Sequence, residues 1–158
     1  MKKYALLSCL LLLFALSSCD KNRVFEKNKD FKDNTWAIAD IQEFKFEIKD
    51  TAPKYAIYFN IRNAIFYEYY NLYLKHTLIG PDGKEISTNL HELFLMDKKT
   101  GEPLGDGAGD IFDHQVLALK NQTFTQPGTY TIKLQQYMRR DPLPGIMAVG
   151  VRVEKQEE

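Results

Sequence analysis

The side chains that most often act as nucleophiles are scarce in the body of this chain. After residue 19 the only serine is Ser87, and no Gly-x-Ser-x-Gly motif surrounds it. The histidines His76, His91 and His114 show neither a His-Glu-x-x-His motif nor a pair four residues apart, so a zinc site is unsupported. We expect each histidine at a strand or loop surface. We predict that the protein is not an enzyme, has no cofactor and takes no small-molecule substrate.

Glycines and carboxylates alternate between residues 101 and 113. Glycine stands at positions 105, 107 and 109, and carboxylates stand at Asp106, Asp110 and Asp113. Several oxygens on a flexible loop suit calcium, although this spacing does not match an EF-hand. A turn that needs positive φ, with aspartates that accept hydrogen bonds from backbone N–H groups, is the simpler interpretation. We therefore predict no metal site and keep the three aspartates as weak calcium candidates.

An aromatic run between residues 66 and 70 is a candidate binding surface. Its tyrosines are Tyr67, Tyr69 and Tyr70. Exposed aromatic rings stack on sugars or anchor protein partners, and buried ones would close the end of a domain. Both interpretations remain open from the sequence.

The segment from residue 139 to 146 is a second candidate. Two prolines and a glycine make it stiff, and a stiff loop loses little entropy on binding. We predict that Arg139, Arg140 and an exposed Leu143 contact a partner there. The alternative is a strand connection in which the prolines serve only the fold.

Cys19 has the most specific signal for chemistry. A basic start, an apolar run from residue 6 to 16 and small residues before a polar stretch are typical of a signal peptide. The motif Leu16-Ser17-Ser18-Cys19 resembles the bacterial lipobox, in which the cysteine thiol receives a diacylglyceryl group and the signal is cut before it. We therefore predict a lipoprotein signal peptide at residues 1–18 and acyl chains on Cys19 that hold the protein on a membrane.

Charge and cysteine content limit the remaining classes of function. The chain has 21 basic and 21 acidic residues, and removal of residues 1–18 leaves 19 basic and 21 acidic residues. This balance disfavours nucleic-acid binding. The second cysteine, Cys9, lies inside the signal, so the body must fold without a disulfide.

Apolar residues after residue 36 recur with period two, which indicates strands. Phe44, Phe46 and Ile48 alternate with charged residues, and similar rows follow between turns at residues 80–83 and 127–128. We predict one all-β domain at residues 36–158, an antiparallel β-sandwich of Ig-like or jelly-roll-like type with about eight strands. A lipocalin-like barrel is the alternative fold. The charged residues 19–35 are predicted to be a lipidated tether.

Several motifs together resemble one family, the gliding-motility lipoproteins called GldH. The matching motifs, in chain order, are Cys19-Asp-Lys-Asn-Arg-Val-Phe25, Asn71-Leu-Tyr-Leu74, Pro81-Asp-Gly83, Gly105-x-Gly-x-Gly-Asp-Ile-x-Asp113, Pro127-Gly-Thr-Tyr130 and Asp141-Pro-Leu-Pro-Gly-Ile146.

This resemblance implies a lipoprotein of the gliding apparatus, a machinery tied to type IX secretion, with no known enzymatic activity. It implies envelope proteins of that machinery as partners and an outer-membrane anchor facing the periplasm. A lipid-anchored glycan-binding module, with or without calcium, is the alternative function.

Overall fold

The computed structural model describes residues 21–156. The predicted signal peptide and the predicted lipidation site Cys19 lie outside the described residues. Strands account for nearly all the regular structure. Their bounds are β1 (Arg23–Asp30), β2 (Thr35–Trp36), β3 (Gln42–Ile48), β4 (Tyr55–Ala64), β5 (Asn71–Ile79), β6 (Glu85–Phe94), β7 (Asp106–Ala108), β8 (Ile111–Gln122), β9 (Gly128–Gln136), β10 (Leu143–Pro144) and β11 (Ile146–Lys155), with a short 3-10 turn (Lys32–Asn34) between β1 and β2.

The strands form two facing antiparallel sheets. The first sheet has the order β1-β11-β4-β8-β7, and the second has the order β3-β9-β5-β6. A small ribbon of β2 and β10 lies apart from both. The predicted β-sandwich is confirmed. The closed, lipocalin-like alternative is wrong, because each sheet ends in unpaired edge strands.

Period-two alternation builds the core between the sheets. On β3 the buried residues are Phe44, Phe46 and Ile48, as predicted, and the intervening residues are exposed. The central strands β4 and β11 are apolar over most of their length because they lie inside the first sheet. Aromatic rings pack within 6.1 Å of one another near the middle of the core, where Phe46, Phe124 and Tyr130 meet.

The predicted tether is wrong in its length, because most of it belongs to the sandwich. Strand β1 pairs with β11 along its whole length. Its Phe25 ring lies 5.9 Å from the ring of Phe46 on the opposite sheet. Phe31 is buried and stacks on Trp36 with ring centroids 4.8 Å apart. Only the few residues between Cys19 and Arg23 remain as a link.

Strand β1 is rich in charged residues and shows no period-two alternation of apolar residues, so the sequence did not predict it as a strand. An edge strand exposes both faces over much of its length, so polar residues can occupy positions that would be apolar in a central strand. The same applies to the edge strand β6. In the structure Glu85–Phe94 is one strand, β6, with exposed residues on both faces.

We name the two ends of the sandwich by the residues that meet there. The N-terminal pole contains Asn22, Lys54 and Lys155, and the distal pole contains residues 34, 65, 110 and 145. At the N-terminal pole, the Lys155 N–H donates to the Asn22 carbonyl and the Gln156 N–H donates to the Lys54 carbonyl. At the distal pole, the Gly145 N–H donates to the carbonyl of residue 34, and the loop after β4 meets the turn before β8. The link from Cys19 therefore enters the domain at the N-terminal pole, opposite the distal pole.

Removal of β1 should destabilise the domain. A chain that begins at Phe31 loses the β1–β11 hydrogen bonds and the packing of Phe25. We expect its free energy of unfolding to fall by at least about 3 kcal/mol relative to a chain that begins at Lys21. Urea unfolding of the two chains measures the difference. Equal stabilities would mean that residues 23–30 are a tether after all.

Candidate functional site

The loop between β9 and β11 is held rigidly at the distal pole. The Asp141 carboxylate accepts a hydrogen bond from the Ile38 N–H at 2.9 Å. The Gln136 side-chain amide donates to the Arg140 carbonyl, and its oxygen accepts from the Met138 N–H at 2.8 Å. The Asp141–Pro142 peptide bond is cis. The predicted stiffness of this segment therefore has a physical basis in its hydrogen bonds to Ile38 and to the Gln136 side chain.

Leu143 does not form part of an exposed surface, and that prediction is wrong. It is fully buried and pairs with Trp36 in the β2–β10 ribbon. Gly145 follows with φ of +86°, and a Cβ there would lie 2.9 Å from the Cα of Tyr67. The Pro-Leu-Pro-Gly segment thus locks the loop onto the domain.

Arg139 and Arg140 are both exposed on this rigid loop. The Arg140 guanidinium lies 4.0 Å from the Glu68 carboxylate, which belongs to the loop between β4 and β5. This contact joins the aromatic run at residues 66–70 to the segment at residues 139–146, the two binding surfaces predicted from the sequence. An exposed pair of this kind contributes little to stability, so both arginines retain donors for a carboxylate partner.

The predicted aromatic surface is only partly present. Tyr67 is 3% exposed, and its hydroxyl donates to the Asn71 carbonyl at 2.8 Å. Burial raises the pKa of this phenol well above its usual range. Tyr69 packs edge-on against Tyr67, and Tyr70 stacks with Phe94 at 6.2 Å. These rings mainly close the distal end of the sandwich, which was the alternative interpretation.

Two other aromatic residues are exposed at the distal pole. Phe66 belongs to the predicted aromatic run, although it was not among the residues predicted to bind, and Tyr137 lies outside that run. Phe66 is 58% exposed in the turn after β4, and Tyr137 is 57% exposed directly after β9. The alternation of β9 contains the signal for Tyr137. Because Ile132 and Leu134 point inward, the odd-numbered positions that lead to Tyr137 point outward.

The glycines of residues 105–109 serve close packing more than turn geometry. A Cβ at Gly105 would lie 2.7 Å from the His114 ring, and one at Gly107 would lie 2.5 Å from the Phe112 ring. Only Gly109 of the three has positive φ, at +67°. The predicted turn interpretation is therefore correct for one of the three glycines, and the other two allow β7 to lie against aromatic side chains of β8.

The three aspartates of this segment lie on β7, on β8 and in the turn between these strands. Asp106 and Asp113 face each other across β7 and β8, and Asp110 lies in the turn between them. Asp113 makes two hydrogen bonds to the Arg62 guanidinium, at 2.8 and 3.2 Å. Within residues 21–156 no group of three or more histidine, cysteine, aspartate or glutamate side chains is placed to hold a metal ion.

The histidines lie on strands, but the predicted surface location is wrong for His76 and His114. Both are buried. The His114 ring lies 2.7 Å from the Asn63 side-chain oxygen, and burial lowers its pKa. Nδ1 of His76 lies 2.7 Å from Nε2 of His91, so one of these two nitrogens donates to the other. Burial, together with the neighbouring His91, lowers the pKa of His76 to about 4.

A surface depression of about 710 Å³ lies at the N-terminal pole. Polar and apolar atoms line it in similar measure. The residues around it include Asn22, Asp50, Lys54, Lys120 and Lys155. The Lys155 ammonium lies 3.1 Å from the Asp50 carboxylate. This depression contains no nucleophile paired with a base, so its chemistry is that of a polar surface next to the entry of the link.

The described chain contains no helix that is long and apolar enough to cross a membrane. Its features define a small antiparallel β-sandwich protein with a rigid, cationic loop at the pole opposite its N-terminal entry.

The chain belongs to the GldH lipoprotein family, whose model matches residues 23–153. The gliding motility lipoprotein GldH homolog of Christiangramia forsetii is 34% identical over 92% of this chain and 91% of its own length. The gliding motility lipoprotein GldH of Flavobacterium johnsoniae is 28% identical over 94% of each chain. The protein is therefore a membrane-anchored lipoprotein of the cell envelope from a family involved in gliding motility, and the family predicted from the motifs is confirmed.

Solved structures resemble the domain only distantly. A family GH115 4-O-methyl-α-glucuronidase is 11% identical with a TM-score of 0.42, and it covers 89% of this chain and 18% of its own. The VP2 subviral particle of infectious bursal disease virus is 14% identical with a TM-score of 0.40, and it covers 87% and 33%. The chain thus spans a third or less of these proteins, and likenesses at this level carry no functional inference.

The buried histidines should make the domain less stable in acid. The folded-state pKa of His76 is about 4, below the 6.5 of a free imidazole, so the unfolded chain binds more protons between these values. Stability is therefore full above about pH 6.5 and is lost as the pH falls toward 4. The pKa values of His91 and His114 are lowered in the same direction. We expect the melting temperature to fall by several degrees between about pH 7.5 and pH 5.

His76→Leu should reduce this pH dependence, because it removes a buried imidazole whose pKa is lowered to about 4. Lys75→Gln is the matched control on the opposite face of β5 and should keep the full dependence. Thermal melting followed by circular dichroism at both pH values measures the effect. An unchanged pH dependence in His76→Leu would show that other groups control acid stability.

Proposed function

We propose that this protein is a non-enzymatic, lipid-anchored component of an envelope machinery for gliding motility that is associated with type IX secretion. It acts by binding envelope proteins at its distal pole. The observation that carries the proposal is the placement of Arg139 and Arg140 on a rigid loop at the pole opposite the N-terminal entry. The link enters at one end, and the exposed cationic loop faces away from it.

The short link supports a fixed presentation of this surface. Cys19 and Arg23 are separated by only three residues. A fully extended chain of this length reaches about 14 Å. A domain held so near the lipid keeps its N-terminal pole toward the membrane and its distal pole outward. We place the anchor in the outer membrane, with the domain facing the periplasm.

The chemistry of the distal pole supports a protein partner with exposed carboxylates. A guanidinium forms paired hydrogen bonds with a carboxylate, and a loop that is already ordered loses little entropy when it binds. Exposed Phe66 lies two residues before Glu68, the contact of Arg140, and adds an apolar anchor of the kind common at protein interfaces. Since Tyr67 is buried, the aromatic run offers less to a glycan than its sequence suggested.

Cys19→Ala should leave the precursor uncut and without lipid, because the thiol is the atom that receives the diacylglyceryl group in lipoproteins. The precursor keeps residues 1–18, so its mass is larger than that of the mature protein. Intact-mass spectrometry and labelling with a radioactive fatty acid test this. Label in the variant, or an unchanged mature mass, would exclude Cys19 as the lipidation site.

Arg139→Glu combined with Arg140→Glu should release the protein from its envelope partners and leave the fold intact. Exposed charge changes usually cost less than about 0.5 kcal/mol, and the Glu68 contact is long. The measurements are the melting temperature of the purified variant and its co-purification with envelope proteins after cross-linking of cells.

The matched control is Lys49→Glu combined with Lys84→Glu, which makes the same charge change on exposed lysines. Both lysines lie in turns at the N-terminal pole, so this control should keep every partner. A folded arginine variant that also keeps every partner would refute binding through the distal loop. A glycan array with the arginine variant and the unmodified protein separates protein binding from the glycan-binding alternative.

A further inference from the structure

Strand β6 forms one edge of the four-stranded sheet, and its outer side has no strand partner among the described residues. The Tyr137 N–H donates to the Tyr73 carbonyl at 2.8 Å, so Tyr73 directs its backbone groups toward β9. Tyr73 faces Glu92 in the β5–β6 register, and Glu92 therefore directs its own backbone groups away from β5. By alternation, the outward N–H and C=O groups belong to Thr88, Leu90, Glu92 and Phe94, whereas the register shift opposite Leu78 and Ile79 places Ile86 in a bulge.

Exposed apolar side chains accompany these outward groups. Ile86, Leu90 and Phe94 are each about half exposed, at 51%, 52% and 50%. Leu90 and Phe94 lie on one face of β6 by alternation, and Ile86 precedes them in the bulge. From residue 87 to 94 the strand contains neither proline nor lysine, which are residues that often prevent an edge strand from pairing.

Two other edge strands, β1 and β3, are protected by charge. On β3, the outward positions hold Glu43, Lys45 and Glu47. On β1, Lys27 and Lys29 occupy positions on the core side, where Lys29 lies 5.9 Å over the Phe44 ring. Inward lysines and alternating charges are known devices against edge-to-edge association. Strand β6 differs from both in its exposed apolar side chains.

We infer that β6 is a docking edge for an extended segment of a partner polypeptide, which adds to the sheet as a fifth strand. Backbone hydrogen bonds to the outward groups of β6 supply affinity, and the exposed side chains of Ile86, Leu90 and Phe94 favour a segment with alternating apolar residues. Strand β6 has two carboxylates, Glu85 and Glu92, and no lysine or arginine. Charge complementarity therefore favours a partner segment that also contains lysine or arginine.

A second copy of this chain does not fit the edge when both copies are anchored. Strand β6 runs from the N-terminal pole at Glu85 to the distal pole at Phe94. Two-fold pairing of β6 with itself is antiparallel and would set the two N-terminal poles about 33 Å apart, at opposite ends of the strand pair. A link with a reach of about 14 Å then brings both copies to one membrane only when the strands lie along its plane, which is incompatible with the outward-facing distal pole of the proposed function. The argument against a second copy depends on the lipid anchor of the proposed function. The exposed edge of β6 does not depend on that anchor.

Photo-cross-linking in living cells tests the inference with the full-length protein. The photoreactive residue p-benzoylphenylalanine replaces Ile86, whose side chain would lie beside an added strand. We expect an adduct with another polypeptide, and mass spectrometry of the cross-linked peptide should identify a segment with alternating apolar residues. Leu90→Pro in the same chain removes an outward N–H and keeps the hydrogen bonds to β5, so the adduct should be lost.

Lys45→Pro is the matched control. By the same alternation through β9, Lys45 directs its N–H outward from the middle of β3, the opposite edge of the same sheet. This variant should keep the adduct. The variant that combines Arg139→Glu with Arg140→Glu should also keep the adduct. The experiment therefore distinguishes a loss of binding through the distal loop from a loss of binding through β6.

Four results would overturn the inference: no adduct at position 86, an adduct with a second copy of this chain, an adduct that survives Leu90→Pro, or equal loss in Lys45→Pro. Melting curves establish that each variant is folded. If Leu90→Pro does not fold, Leu90→Lys replaces it. That variant places a charge on the edge with the backbone unchanged, and its results are interpreted in the same way.

Discussion

The rest of the structure depends on the packing of one strand, β11, between β1 and β4. Val149, Val151 and Val153 of β11 are fully buried and lie beside Ile61, Phe59 and Ile57 of β4. Six β-branched or aromatic side chains of this kind each contribute roughly 1.5–3 kcal/mol when removed from water. This row forms the inner face of the first sheet, and the second sheet covers it. The loops of the distal pole are rigid because they end on these buried strands.

Alternation in the sequence predicted the parts of the fold that have one buried face. Strand β3 and strand β9 follow it directly, since polar residues separate Phe44 from Phe46 and Tyr130 from Ile132. Edge strands obey a weaker rule, because both of their faces are partly in water. Strand β1 therefore resembled a tether, although Phe25 contacts the opposite sheet. Burial of β1 depends on β11, which lies more than a hundred residues away, and no local pattern contains that information.

The candidate site shows the same division between local and long-range information. The stiffness of residues 139–146 followed from two prolines and a glycine, but the location of Leu143 did not. Its burial depends on Trp36, a partner distant in sequence. Gly105 and Gly107 are similar, because the rings that exclude a Cβ there belong to the following strand. Residue type thus indicated where the chain is constrained, and only the pairing of distant strands determined which side chains reach the surface.

The pairing of β1 with β11 also has a consequence for export. The first strand of the domain has its neighbour in the last strand, so the sheet cannot close until residues 146–155 are available. A chain that crosses a membrane amino terminus first therefore cannot complete this sheet during its passage. The first sheet is completed only when this last strand is present, and until then β1 lacks the strand beside which it lies in the folded domain.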